Sequence, residues 1–452
     1  MKIIIAGAGE VGSHLAKMLS GEANDITVID SEPSRLQNVL SLADIVVVEG
    51  SPSSIDVLTR AGARDADLFI AVYPSESQDV NIVSALLAKK LGSKKVTARI
   101  NNGEYLKYDN KYLFTEMGID LLFHPEKIAA GEILDLLSRT AATDSMEFAR
   151  GKLQMAVFKL EEDSPIINMT LMEFAHSVSR GSQQFRVVAI SRDNETIIPQ
   201  SNTRFKYHDQ LFIISKREGI DALMSLIGKI NIEIGSVMIM GGGSIAAMVA
   251  DNLADRSIKV KIIEKEKGKC LELAERLSDK VSIINGDGRN SDLLIDENIR
   301  EFDAFVALTG SSEANVLACV AAKKMGVGRT IAQVENLEYI PLAESMGVDA
   351  VINKKLITAG RIFKFTLSDK VRFVKYMSGT NAEIIEFIVA PDSKITKAPL
   401  KDLDFPSEAI IGGIIRGGDS FIAVGDTHIQ AYDRVAVFAT PQAVREVDKW
   451  FR

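Results

Sequence analysis

The chain has 452 residues, of which 46% are hydrophobic and 25% charged, and a formal net charge of −8. That length covers about two to four domains, each able to bury a core unaided, and the composition excludes a disordered or fibrous chain. The acidic balance gives no electrostatic support to a nucleic-acid partner or to direct binding of an anionic membrane.

The first element, "KIIIAG", reads as a buried strand with no charged leader before it, so the expected location is the cytoplasm. It runs into Gly7, Ala8, Gly9, Glu10, Val11 and Gly12, a G-x-G-x-x-G turn opening a helix with apolar positions Val11, Leu15, Met18 and Leu19. The first glycine permits the tight turn, the second lets backbone amides approach a pyrophosphate, and the third lets the helix pack on the strand. The free amides of the helix N-terminus then favour phosphate. The next strand, "DITVID", ends on Asp30, 18 residues after Gly12. A carboxylate there is placed to accept from an adenosine ribose and to repel a 2′-phosphate, so NAD or an adenine nucleotide is expected rather than NADP.

Strands "DIVVVEG", "DLFIAV" and "KVTARI" follow, with helical patterns between them. Strand and helix in alternation predict a doubly wound parallel sheet. Gly50 and Ser51 follow the third strand, Tyr73 and Pro74 the fourth, and Arg99 ends the fifth. All stand at carboxyl ends of strands, where such sheets bind ligands. Arg99 either neutralises a phosphate or sits in a surface salt bridge. Residues 152–215 change texture, with short β-runs such as "KLQMAVFKL", "FRVVAISR" and "DQLFIIS" and a closing helix near 219–228. This is the pattern of a small α+β domain.

The chain then repeats itself. "LFIAVYPSESQDVNIVSALLAKKLG" (68–92) matches "AFVALTGSSEANVLACVAAKKMG" (304–326), with Asn81 opposite Asn315 at an offset of 234. "MGIDLLFHPEKIAAGEI" (117–133) matches "MGVDAVINKKLITAGRI" (346–362). The second glycine turn is Gly241, Gly242, Gly243, Ser244, Ile245 and Ala246, with alanine at the packing position, followed by a helix face of Ile245, Val249 and Leu253. Glu264 ends the strand "KVKIIE" at the same spacing from Gly241 as Asp30 from Gly7. Gly286, Asp287 and Thr309 stand at the matching strand ends, and Gln333 replaces Arg99, so the two sites are not equivalent. The second half either binds a nucleotide or keeps its glycines for packing alone.

The expected architecture is therefore α/β: two Rossmann-like parallel-sheet domains, each followed by a small α+β domain, as a tandem duplication. The domains are 1–140, 141–229, 230–368 and 369–452, with 228–236 as the linker between halves.

Catalytic landmarks are missing from the sequence. The five histidines, His14, His124, His176, His208 and His428, do not align between halves, and Cys270 and Cys319 lack metal-ligand spacing and read as buried apolar residues. No metalloprotease, serine-elbow or Walker motif occurs. The charge-free stretch 234–250 is shorter than the roughly 20 residues a membrane span needs, and glycines break it. Binding without chemistry is the simpler reading; an NAD-dependent oxidoreductase and an adaptor with relic nucleotide folds are the alternatives.

Over its whole length the chain resembles the Trk-type potassium-uptake regulatory family, built from regulator-of-potassium-conductance domains. "GAGEVG…VID", "AGARDADLFIAV" and "NIVSALLAKKLG" carry the resemblance in half one, and "GGGSIA…IIE" and "NVLACVAAKKMG" in half two. It implies binding of NAD(H), with ATP and ADP as further ligands. It also implies a homotetrameric ring and attachment at the cytoplasmic membrane face to a Trk-type potassium-transporting protein. The chain departs from the family at Tyr73–Pro74, a loop that is small and polar in the family. A bulky ring there is expected to reshape the nucleotide pocket.

Overall fold

The strand Lys2–Ala6 (β1) is buried from Ile3 onward with no alternation, the mark of a strand covered on both faces. The computed structural model describes the chain except residues 21–23, 43–44, 75–76, 139–141, 149–150, 178–183, 194, 217–218, 230–232, 364–370 and 377–381. After β1 come α1 (Glu10–Ser20), β2 (Asp25–Asp30), α2 (Pro33–Leu42), β3 (Val46–Glu49), α3 (Ile55–Arg60), β4 (Leu68–Ala71), α4 (Gln78–Leu91), β5 (Lys95–Arg99), α5 (Tyr108–Glu116), β6 (Leu121–Phe123) and α6 (Pro125–Ser138). The six strands form a parallel sheet in the order β3-β2-β1-β4-β5-β6. The order reverses at β1, which puts a ligand crevice at the carboxyl ends of β1 and β4.

The first small sheet follows: β7 (Asp144–Phe148), β8 (Leu153–Lys159), α7 (Leu171–Ser177), β9 (Phe185–Arg192), β10 (Glu195–Ile197), β11 (Gln210–Lys216) and α8 (Ile220–Ile227). It is antiparallel, ordered β10-β9-β11-β8-β7.

The second half repeats both layers. β12 (Ser236–Met240), α9 (Ser244–Asp255), β13 (Lys259–Glu264), α10 (Lys267–Arg276), β14 (Val281–Asn285), α11 (Ser291–Asp296), β15 (Ala304–Ala307), α12 (Ser312–Lys324), β16 (Arg329–Gln333), α13 (Tyr339–Ser345), β17 (Ala350–Ile352) and α14 (Lys354–Phe363) come first. Their sheet is parallel, ordered β14-β13-β12-β15-β16-β17. β18 (Val371–Tyr376), β19 (Glu383–Ile388), β20 (Ala409–Arg416), β21 (Asp419–Ile422), β22 (Arg434–Ala439) and α15 (Pro441–Phe451) complete the chain. These strands form an antiparallel sheet ordered β18-β19-β22-β20-β21. The expected fold class is the observed one.

Two compact units divide the chain otherwise than by sequence order. One unit holds Met1–Ile128 together with the segment that starts at Lys354. There α14, written in the second half, packs along α1, and Lys355 Nζ lies 3.5 Å from Glu10 Oε2. The other unit holds the second parallel sheet, both small sheets and α6 from Ala129 onward. In it Leu134 and Leu137 of α6 line a hollow with Leu253 and Ile258 beside α9. The crossover helix α14 thus lies with the parallel sheet of the first half.

The two antiparallel sheets share one core. Phe148, Leu153, Val188, Phe212 and Ile214 pack with Ile384, Ile415 and Phe438, and the Phe212 and Phe438 ring centroids are 5.6 Å apart. Arg186 Nη1 donates across to the Ile411 and Ala423 carbonyls at 3.3 and 2.5 Å. The duplication persists in detail: Arg192 pairs with buried Asp209, and Arg416 with buried Asp433. Among the described residues no helix is long and apolar enough to cross a membrane.

Candidate functional site

The site begins with backbone geometry. Gly7 and Gly241 have φ of +116° and +101°, a region closed to most side chains. A Cβ on Gly12 would stand 1.8 Å from the Gly7 carbonyl oxygen, so this glycine exists for helix-on-turn packing. Buried Ala246 serves at the equivalent point in half two. A Cβ on Gly9 or Gly243 would meet nothing within 4 Å. Those glycines face open space, as a passage for phosphate requires.

The first intrahelical bonds are Ser13 N–H to Gly9 O at 2.8 Å and Ala247 N–H to Gly243 O at 3.0 Å. The amides of Glu10, Val11 and Gly12, and of Ser244, Ile245 and Ala246, therefore precede the ladder and point out of the helix N-terminus.

Each acid is tied to its glycine turn. Buried Asp30 accepts from the Ala8 amide at 2.7 Å and the Glu32 amide at 2.9 Å. Buried Glu264 accepts from the Gly242 amide at 2.6 Å and the Glu266 amide at 2.7 Å. Each carboxylate oxygen carries one of these bonds and keeps a second acceptor direction for a ribose hydroxyl. Both acids brace their turns, a role that spacing alone does not reveal, and Glu264 also lines the cleft described below.

The loops after β4 and β15 are held by a buried asparagine that the sequence pairs but does not explain. Asn81 accepts from the Tyr73 amide at 2.8 Å and donates to the Tyr73 and Arg99 carbonyls at 3.2 and 3.1 Å. Asn315 accepts from the Thr309 amide at 3.0 Å and donates to the Thr309 and Gln333 carbonyls at 2.9 and 2.8 Å. Tyr73 and Thr309 therefore occupy the same position in the two halves.

In half two these parts surround a cavity of ≈ 400 Å³. It is lined by Gly241, Gly242, Gly243, Glu264, Gly286, Asp287 and Thr309, all expected, together with Lys265, Glu266, Lys269, Gly288, Arg289 and Ser311. The volume falls in the range of small-ligand sites. The lysines and Arg289 were not read from the sequence; the signal was their clustering just after the two strand-end acids. Arg289 chelates Asp287 through Nε and Nη2 at 2.9 and 2.6 Å and holds its carboxyl well below the usual range. The lining contains no histidine or cysteine.

In half one, Gly50 N–H donates to the Asp30 carbonyl at 2.9 Å, as Gly286 does to Glu264, which brings Gly50 and exposed Ser51 beside the acid. Pro74 is exposed. Arg99 lies apart from a free phosphate role: Nη2 pairs with Glu126 Oε1 at 2.8 Å, and both side chains are mostly buried. Glu126 also meets His124 Nδ1 at 3.1 Å. Burial works against the Glu126 charge, but the His124 hydrogen bond and the Arg99 charge prevail and lower its pKa to about 2. Gln333, at the Arg99 position, donates to Glu335 at 2.9 Å. Both cysteines are buried, and burial pushes the Cys319 thiol up. Among the described residues no cluster of three potential metal ligands occurs.

The TrkA-N domain family matches residues 3–125 and 237–354, and the TrkA-C domain family matches 155–228 and 384–452. The Trk system potassium uptake protein TrkA homolog 1 of Methanosarcina mazei is 33% identical over 462 residues, covering 100% of both chains. The Trk system potassium uptake protein TrkA of Halomonas elongata is 32% identical over 457 residues, covering 100% of this chain and 99% of the relative. Among solved structures, the GsuK channel bound to NAD superposes with a TM-score of 0.61 at 16% identity, covering 100% of this chain and 78% of that one. The GsuK RCK domain gives 0.61 at 16% identity, covering 100% and 95%. GsuK bound to ADP gives 0.51 at 13% identity, covering 80% and 68%. The chain belongs to the TrkA family of Trk system potassium uptake proteins.

Proposed function

We propose that this member of the TrkA family is a nucleotide-sensing regulatory subunit that binds NAD(H) or ATP and ADP and sets the state of a Trk-type potassium-transporting membrane partner. The observation that carries the reading is the second-half cleft. It joins a glycine turn with open space at Gly243, a helix N-terminus, a strand-end acid and a rim of Lys265, Lys269 and Arg289 ion-paired with Glu266 and Asp287. Phosphates would lie against the amides of α9, with Glu264 accepting from a ribose hydroxyl. The solved neighbours include GsuK bound to NAD and GsuK bound to ADP.

Chemistry on the nucleotide is not part of the proposal. A hydride-transfer enzyme needs a positioned acid or base beside the reacting carbon. The cleft presents glycines, a carboxylate already bonded to two amides, a chelated Asp287–Arg289 pair, a Lys269–Glu266 pair and Lys265 facing Asp287, so its charged groups are engaged with one another.

Regulation follows as differential binding. A ligand moves a two-state gate only by its preference for one state. A 100-fold preference at one site is worth about 2.7 kcal/mol, whereas a near-complete switch needs about 5.5 kcal/mol. Several sites coupled in a ring meet that requirement, which gives a homotetramer a physical purpose. The subunit would then sit on the cytoplasmic membrane face through its transporter.

The test is calorimetric titration with NAD, NADH, ATP and ADP, followed by potassium flux through the cognate transporter in liposomes. Saturable binding without turnover of small oxo-acids, and flux that differs between nucleotides, are expected. Turnover would favour the oxidoreductase reading. Equal flux under every bound nucleotide would refute regulation.

A further inference from the structure

We propose that the Tyr73 side chain closes the nucleotide crevice of the first half, so that one chain admits nucleotide at its second glycine turn and not at its first. This deepens the function proposed above and rests on the second-half cleft being a nucleotide site.

The argument begins with strand order. β4 and β2 flank β1 on opposite sides. Tyr73 follows β4, yet its hydroxyl accepts a hydrogen bond from the amide of Ser31, the residue after β2, at 3.1 Å. Two inter-strand steps are about 10 Å, so the phenol must run across the carboxyl end of β1 to reach that amide. There the glycine turn begins, and there a dinucleotide would have to lie.

Packing agrees. A side-chain carbon built on Gly7 would stand 3.1 Å from Tyr73 Cδ2, so the ring rests against the turn glycine itself. Although it sits in a loop at the strand ends, Tyr73 is only 9% exposed, and it packs in the core cluster with Ala6, Ile29 and Ala71. Its backbone is pinned from below by Asn81 on both the amide and the carbonyl. Burial and the nearby Asp30 charge push the phenol's pKa up, so it stays neutral.

The second half supplies the comparison. Thr309, held in the same way by Asn315, turns its hydroxyl to Asn315 Oδ1 at 2.6 Å and leaves the crevice to the ≈ 400 Å³ cavity. The charges diverge in the same direction. Half one carries Glu10 as the first residue of α1, where α9 begins with Ser244. Half two carries Lys265 on its rim where half one has Ser31; Lys269 corresponds to Arg35, Arg289 is neutralised by Asp287, and Glu10 is faced by Lys355. A polyphosphate is therefore favoured at the second turn by space, with Lys265 adding one positive charge at the rim.

The test counts sites by calorimetry on the full-length chain, with NADH and ADP as separate probes. Wild type should bind one equivalent per chain. Gly243→Val should abolish that binding, and Gly9→Val should leave it unchanged. Both valines enter open space, so these variants are expected to fold. Tyr73→Thr should raise the count to two, and in the Gly243→Val background it should restore one. Two equivalents in wild type, with one lost in Gly9→Val, would overturn the proposal while leaving the nucleotide reading intact. So would a count of one in folded Tyr73→Thr. If wild type binds neither probe, the nucleotide reading fails and this proposal falls with it.

Discussion

The Gly242 amide donates to the Glu264 carboxylate at 2.6 Å, across the turn that opens the second-half cleft. The same carboxylate accepts from Glu266 at 2.7 Å, so one side chain fixes both the glycine turn and the loop after β13. Glu264→Ala should therefore act twice. Leaving two amides without their acceptor should lower stability by about 1–3 kcal/mol, and the lost ribose acceptor should weaken nucleotide by a similar amount. Chemical denaturation and calorimetry measure the two separately. Asp30→Ala should lower stability on the same scale, since Asp30 holds the Ala8 and Glu32 amides alike.

The glycines separate geometry from packing. Gly12→Ala would force a carbon to within 1.8 Å of the Gly7 carbonyl and should destabilise by several kcal/mol, or about 2–4, through overpacking. Gly243→Val should leave the melting curve near that of wild type and remove nucleotide binding. A large drop in melting temperature for Gly243→Val would mean that this glycine serves packing instead.

Asn315 is fully buried and makes three backbone hydrogen bonds that bind the loop after β15 to β16. Asn315→Leu should cost about 3 kcal/mol or more, because the Thr309 and Gln333 backbone groups lose their partner in the interior. Asn81→Leu should cost about as much and should also free Tyr73. Denaturant midpoints at constant slope are the measurement.

His14 sets an acid limit. Burial, with Lys355 and Lys17 adding repulsion, lowers its pKa from 6.5 to about 4, and its Nε2 is buried without a hydrogen-bond partner. The unfolded chain then binds a proton that the folded chain resists. Stability is complete above pH 6.5 and falls as the pH drops toward 4, by about 3 kcal/mol in all. His14→Phe should flatten that fall. Glu126, held down at about 2, contributes at the other end: its share is present above 4.5 and is lost as the pH falls through 2. Urea titrations of wild type and His14→Phe at pH 7, 6 and 5.5 isolate the His14 contribution, because the difference between the two proteins removes that of His208 and Glu126 stays ionised in both states there.

Much of this molecule was legible from local pattern. Continuous apolar runs such as Ile3–Ala6 and Leu68–Ala71 became central parallel strands. The distance from Gly7 to Asp30, repeated from Gly241 to Glu264, placed each acid beside its turn. These features depend on periods and spacings within about 25 residues, where the strand–turn–helix–strand path leaves the chain little freedom. The shift from helical to short β-runs after 150 likewise marked the small sheets.

The rest was decided by partners far away in the chain. Arg99 is neutralised by Glu126, 27 residues on, a pairing no spacing rule contains. The crossover helix α14 has the sequence of the second half and the packing partner α1 of the first. Tyr73 could be read as bulky, but only its reach to Ser31, 42 residues back, places it over β1. The two glycine turns are near copies as sequence, and the sequence alone determined where they lie and which acid stands at the end of the next strand. Where Tyr73 lies relative to its turn was decided in three dimensions, because a side chain takes the rotamer that buries its ring and satisfies its hydroxyl, and those neighbours come from other strands.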